Sequence, residues 1–321
     1  MASPGSKFLR SPLALTLIIL AVLGGVLISL STFYADWLWF KSVGFTSVWS
    51  TTLFTKFFLF IISGAITSFI VILNIWLAFK RRPFYVPTAV EADNLERYRA
   101  QIDPIKRAVV IGIAIVLFYF AGSSGASLWR QWLEFKNATS FGIKDPQFGV
   151  DVSFFAFKLP IYQTLISWGI SLLVLSLIAA AVVHYLYGGI RLQVTEDRTS
   201  VAARVQLSVL LGLIVLLKAV AYWFDRYSLA LKESKLITGL TFTDVNAVLP
   251  AKAILAGIAL ICAILFFANI VRRSWQLPVV GVALMAISSL LIAGVYPSLI
   301  QQFQVKPSES TKEAPFIQRN I

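Results

Sequence analysis

Seven apolar stretches dominate the chain, at 12–33, 51–79, 106–129, 160–187, 204–224, 251–271 and 277–299. Each is about 20 residues or longer, enough for a helix to cross the ~30 Å hydrocarbon core of a bilayer. None shows the period-2 alternation of an outer-membrane barrel strand. Backbone groups in lipid have no water to bond, so each stretch predicts an α-helix. The expected fold class is all-α: a multi-pass bundle of about seven spans occupying residues 1–299. Tryptophans mark the span ends (Trp37, Trp39, Trp49, Trp76, Trp129, Trp132, Trp223, Trp275), where an apolar ring with a wet N–H suits headgroup depth.

The connections alternate in character. The loop 80–107 is the most polar, and Thr88 with Glu91 three residues on forms a capping-box pattern. It predicts a short helix that stops before Pro104, lying on anionic lipid as a solvated connector or offering a docking site. The segments 34–49, 141–162 and 226–250 are rich in aromatics and leucine. They predict interfacial segments forming an apolar-aromatic cap over one end of the bundle. From residue 300 the chain turns polar, and 300–321 reads as an extracytoplasmic tail that opens a further domain.

Composition agrees with the pattern. The chain is 58% hydrophobic and 13% charged, against about 45–50% and about 25% in soluble domains, which excludes a soluble globule. The net charge of +13 is spread over the loops, which points to anionic lipid and not to nucleic acid. One cysteine, Cys262, rules out an intrachain disulfide and a cysteine metal site. One histidine, His184, rules out a polyhistidine site. Phosphate-loop, dinucleotide, zinc and nucleophile-elbow patterns are absent, so no cofactor is expected. Lys7 and Arg10 precede an apolar run too long for a signal peptide, which reads as an uncleaved first span. Placing the amino terminus in the cytoplasm puts eleven arginines inside and three outside. The positive-inside rule then predicts N-in, with the carboxyl end outside.

Four stretches carry a family resemblance: "ADWLWFKSVGFTSVWSTTLFTK" (35–56), "DPQFGVDVSFFAFKLPIYQ" (145–163), "TFTDVNAVLPAK" (241–252) and "VYPSLIQQFQVKPSESTKEAPFIQRNI" (295–321). Together, and in this order, the chain resembles the uncharacterised protein family 0182, large multi-pass membrane proteins common in actinobacteria. The resemblance implies a bacterial plasma-membrane protein whose membrane half is followed by a large extracytoplasmic region. It implies no activity and no catalytic residues.

Polar residues within or beside the spans are the functional candidates. Lys218 lies 14 residues after Arg204 and six before Phe224, about 21 Å and about 9 Å along a helix. Tyr222 and Asp225 fall on its face at i+4 and i+7. A lysine stem can snorkel past them to water, and the alternative is a polar cavity. His184 sits at the end of the fourth span, where interfacial packing is expected; a proton relay would need acids at similar depth, and no Asp or Glu lies deep in any span. Asp36 follows the first span, where multi-pass glycosyltransferases often hold a catalytic acid. Small residues in "SGAITS" (63–68), "AGSSGAS" (121–127) and "AGIALICA" (256–263) predict close helix contacts, with a break at "GSSG" as the alternative.

The leading functional expectation is a membrane anchor and scaffold for an extracytoplasmic domain or envelope complex. The alternative is a transporter or lipid-handling conduit around Lys218. An intramembrane transferase using Asp36 comes third. The lipid bilayer is the one partner common to all three.

Overall fold

A computed structural model describes residues 12–83, 100–101, 103–191, 199–233, 238–272 and 276–320. Lys7, Arg10, the Thr88–Glu91 pattern, Arg97, Arg99, Arg198, Arg273 and Trp275 lie outside the described residues. Seven helices among the described residues are long and apolar enough to cross a membrane. The chain divides into two compact units, 1–58 and 59–321.

In the first unit, helix α1 (Pro12–Ser42) runs 31 residues, about 46 Å at the helical rise. The expected interfacial segment at 34–49 is instead mostly helix. The turn is short and centres on Gly44, whose φ of 76° places it in the left-handed region that glycine tolerates best. Asp36 therefore lies inside α1, on an exposed face, and not in a loop beyond it. Aromatics are compatible with a helix whose end stands at headgroup depth: Lys41 sits 4.8 Å above the Trp37 ring one turn away. Phe33 packs edge-on against Trp49 at 4.9 Å, at the start of α2 (Thr46–Lys80).

In the second unit α2 pairs with α3 (Lys106–Ser127), which a single turn at Asp103–Ile105 precedes. The pairing is antiparallel and built from small residues. Ser63 Oγ donates to the Ala121 carbonyl at 2.9 Å and Ser68 Oγ to the Ala114 carbonyl at 3.0 Å. Gly64, Gly122 and Gly125 stand so near the opposite helix that any side chain there would meet backbone oxygen within 2.9 Å. The small-residue stretches thus meet each other, as close packing in lipid requires. Helix α3 passes through "GSSG" without a break.

The amphipathic helix α4 (Trp129–Lys136) turns off the end of α3. Helix α5 (Leu159–Leu186) is entered through a π-helical turn at Phe154–Lys158, with Leu159-Pro160 at its start. Leu159 N–H bonds back to the Phe154 carbonyl in that wider turn, and Pro160, which has no N–H to donate, follows it. Helix α6 (Val201–Phe224) is capped by Ser200, which accepts from Ala203 N–H at 3.2 Å. Helix α7 (Leu249–Arg272) repeats the entry of α5: a π-helical turn at Asp244–Val248, then Leu249-Pro250.

Alanines and a cysteine fill the seams of this bundle. Ala78, Ala180 and Leu210 bring α2, α5 and α6 together. Val215, Ala219, Ala259, Cys262, Ala263 and Phe266 bind α6 to α7. The Cys262 thiol donates to the Gly281 carbonyl at 3.3 Å on α8 (Gln276–Ser288). Large side chains such as Leu165, Ile178, Ile254 and Ile264 point outward, the inverse of a soluble protein and the distribution lipid favours.

The carboxyl-terminal segment departs from the expected polar tail. Helical structure continues from α8 through a π-helical stretch at Ser289–Val295, then α9 (Tyr296–Leu299), Ile300–Val305 and Lys306–Ser308, into α10 (Glu309–Asn320). Polarity predicts a segment that leaves the membrane, and says nothing of where its polar groups bond. They find partners within the protein.

Candidate functional site

Those partners lie at one end of the second unit, where the loops after α4 and α6 meet α10. Asp244 begins the π-helical turn before α7, and its carboxylate is almost wholly buried. It accepts from Lys232 Nζ at 2.7 Å, from Thr241 N–H at 3.1 Å and from Thr241 Oγ1 at 2.8 Å. A buried charge needs such partners. Next along the loop, Phe242 N–H donates to Glu313 Oε2 of α10 at 3.0 Å, and the hydroxyl of Thr243 donates to Gln301 Oε1. The Phe242 ring meets Phe316 edge-on at 5.9 Å and lies under Lys312 at 4.9 Å. Arg319 reaches the other loop, donating to Gln147 Oε1 at 2.8 Å. These contacts form a collar that binds α10 to both loops.

Asp151 organises the first of those loops. Its carboxylate accepts from the Ser140 hydroxyl and from the N–H groups of Phe141 (3.1 Å), Gly142 (3.0 Å) and Ser153 (2.8 Å). The hydrogen bonds from Ser140 and then Ser153 hold its carboxyl well below the usual carboxylate range. A depressed carboxyl stabilises the fold above its ordinary value near 3.9, and that contribution fades only as pH falls toward the folded-state value. The aromatic residues of the same loops also meet. Tyr227 stands at the centre, with its ring 5.0 Å from Phe148, 5.3 Å from Phe154 and 6.4 Å from Phe224.

Lys218 and Tyr222 do come together: the ammonium lies 4.8 Å from the centre of the Tyr222 ring. Lys218 is half-buried and forms no ion pair among the described residues. Asp225 turns to another helix. It accepts from Lys252 Nζ of α7 at 3.2 Å. The shared helix face was legible, but the carboxylate's cation comes from a residue 27 positions away.

His184 lies at the opposite end, buried to 1% exposure. Its Nε2 is 3.0 Å from Gln206 Oε1 on α6. Gln206 Nε2 donates to the Asn74 carbonyl at 2.9 Å and to Asn74 Oδ1 at 3.2 Å. The carbonyl can only accept, which fixes the amide orientation, so Gln206 Oε1 must accept from His184. The proton therefore sits on Nε2, and Nδ1 has no hydrogen-bond partner among the described residues. This His184–Gln206–Asn74 link ties α5, α6 and α2 together. No acidic side chain takes part in it. Asp36 lies in the first unit and joins none of these clusters.

Sequence reasoning missed the collar and the amide link. Glu313, Gln301, Gln206 and Asn74 carry no local signal, since each acts on a partner at least 58 positions away. Among the described residues no group of acids, histidine and cysteine could hold a metal ion.

Residues 13–321 match the sequence model of the uncharacterised protein family UPF0182. The chain belongs to that family. A UPF0182 protein of Streptomyces coelicolor is 49% identical over 314 residues, covering 96% of this chain and 31% of that protein. One from Nocardioides sp. is 50% identical over 323 residues, covering all of this chain and 32% of that protein. One from Thermobifida fusca is 42% identical over 325 residues, covering 99% of this chain and 32% of the relative. The UPF0182 chain thus spans about a third of the length of the curated relatives it matches. No solved structure matches it.

Proposed function

We propose that this UPF0182 chain is a membrane anchor and scaffold that supports an extracytoplasmic domain or an envelope complex. One observation carries the reading: α10 is bound into the collar through Glu313 and Arg319, and the helical stretch leading into it through Gln301. A polar helix held against the bundle end gives a fixed platform, where a loose tail would give only a tether. The relatives' length supports it, since about two thirds of each lies outside the matched region. In this reading the basic end is cytoplasmic, following the arginine bias of the loops, and the collar faces outward. The reading assigns no catalytic step.

The conduit alternative draws on Lys218, a half-buried cation in a span. Its contact with the Tyr222 ring gives that charge a resting place, so tolerance of the lysine needs no ion path. Purification of the full-length protein in a native detergent tests the scaffold. The expected result is a particle in which the collar end carries further protein mass, either the protein's own remaining chain or other subunits. A lone monomer whose remaining chain is untethered from the membrane domain would defeat the proposal.

A further inference from the structure

At the end of the bundle opposite the collar, the described residues gather positive charge around a groove. The groove holds about 500 Å³ and is lined by Trp76, Phe79, Lys80, Arg82 and Pro83. Each cation there is seated on an aromatic face. Lys80 Nζ lies 4.7 Å from the Trp76 ring centre, and the Arg82 guanidinium lies 4.1 Å from Phe79 and 5.1 Å from Tyr187. Lys106 Nζ approaches the same Phe79 ring at 5.2 Å. Arg82 and Lys106 can therefore be no farther apart than those two distances combined, about one screening length.

Among the described residues, acidic groups do not offset this. Asp103 is the one carboxylate described beside the cluster, and it already accepts from Lys106 at 3.5 Å and from Tyr187 Oη at 3.2 Å. Lys80 and Arg82 form no ion pair among the described residues. With Lys106 paired to Asp103, Lys80 and Arg82 are left seated on the Trp76, Phe79 and Tyr187 rings with no described carboxylate of their own, and an anion would stabilise that site. Its depth selects the anion. α2 is apolar up to Trp76 and ends at Lys80, so the cations stand where phospholipid phosphates lie, with exposed Trp76 flanking them on the acyl side.

We infer that this groove binds the phosphate of an anionic phospholipid, with Arg82 and Lys80 on the headgroup and Trp76 along the first part of the acyl chains. The site is independent of the scaffold proposal. It lies at the other end of the bundle, and it holds whether or not the collar carries anything.

The test is native mass spectrometry of the full-length protein released from nanodiscs of phosphatidylcholine doped with phosphatidylglycerol. The wild-type protein should retain phosphatidylglycerol in preference to phosphatidylcholine. The variant K80Q/R82Q should bind it about 30-fold more weakly, the expected loss for two basic contacts at a membrane surface. Both side chains are exposed, so the fold should survive the change. The matched variant R130Q/K136Q, on α4 at the collar end, should bind as the wild type does. Equal retention by K80Q/R82Q and wild type would overturn the inference. So would displacement of the lipid by inorganic phosphate at comparable concentration, which would make the site one for free phosphate.

Discussion

Leucine at Gly125 is expected to force α2 and α3 apart and to leave the protein unable to hold its fold in detergent. A Cβ at that position would lie 2.0 Å from Ser63 Oγ and 2.9 Å from the Leu59 carbonyl oxygen. Ser63 cannot simply rotate away without loss, because its hydroxyl is bonded to the Leu59 and Ala121 carbonyls at 2.7 and 2.9 Å. The remaining obstacles, Ser63 Cβ at 2.6 Å and the Leu59 carbonyl oxygen, yield only if the whole helix moves. Overpacking a tight core costs about 1–3 kcal/mol where side chains can adjust, and this seam should lie at or above the top of that range. Gly64 and Gly122, where an added Cβ would lie 2.6 and 2.9 Å from opposing carbonyl oxygens, continue the same line of contact, so displacement at one site loosens all three. The control is Gly257→Leu on α7, where a Cβ meets nothing within 4 Å. Helix propensity alone should make that change neutral or mildly stabilising. Thermal stability followed by size-exclusion chromatography separates the two: the monodisperse peak should be lost for G125L and kept for G257L. Equal behaviour of the pair would mean that the α2–α3 seam is looser than its geometry.

The second large effect is expected at Asp244. Its carboxylate joins three donors while almost entirely out of solvent. Asp244→Asn preserves the shape but removes the charge that strengthens each bond, and it turns an amide N–H₂ toward one of the donors. Hydrogen bonds to charged groups contribute about 1.5–3 kcal/mol, so a loss of about 2–3 kcal/mol is expected. Lys232→Ala should cost much less, about 0–1 kcal/mol. The lysine is 48% exposed and regains water when unpaired, whereas the carboxylate has no such recourse. The two variants are compared by thermal unfolding of the purified protein. The expected order is D244N well below K232A, and K232A near wild type. Equal losses would mean that the ion pair, and not the turn that Asp244 closes with Thr241, holds this loop.

How much could be read from the sequence follows from the range of each interaction. Apolar length is a local property, and it found the seven helices long and apolar enough to cross a membrane. It misplaced the end of the first, because Tyr34, Trp37 and Trp39 read equally as interfacial loop or as the headgroup turn of a helix, and only the Gly44 turn decides. Small residues predicted close helix contacts, and Ser63, Gly64, Gly122 and Gly125 supply one. Helical spacing put Lys218, Tyr222 and Asp225 on one face, yet the cation for Asp225 arrived from α7. The partners of the polar tail were hidden for the same reason. Glu313 looks like a solvent residue until Phe242, 71 positions earlier, presents its N–H. Period and composition report what a segment needs to bury. They do not report which distant backbone group will satisfy it.

The scaffold reading stands on the collar being covered in the whole protein. Hydrogen–deuterium exchange of the full-length protein in nanodiscs, beside the 1–321 chain alone, measures this directly. If the collar is a platform, peptides spanning 140–152, 241–248 and 309–319 should exchange more slowly in the full-length protein, while peptides at the opposite end, such as 76–83, should be unchanged. Identical exchange of the collar peptides in both would contradict the account.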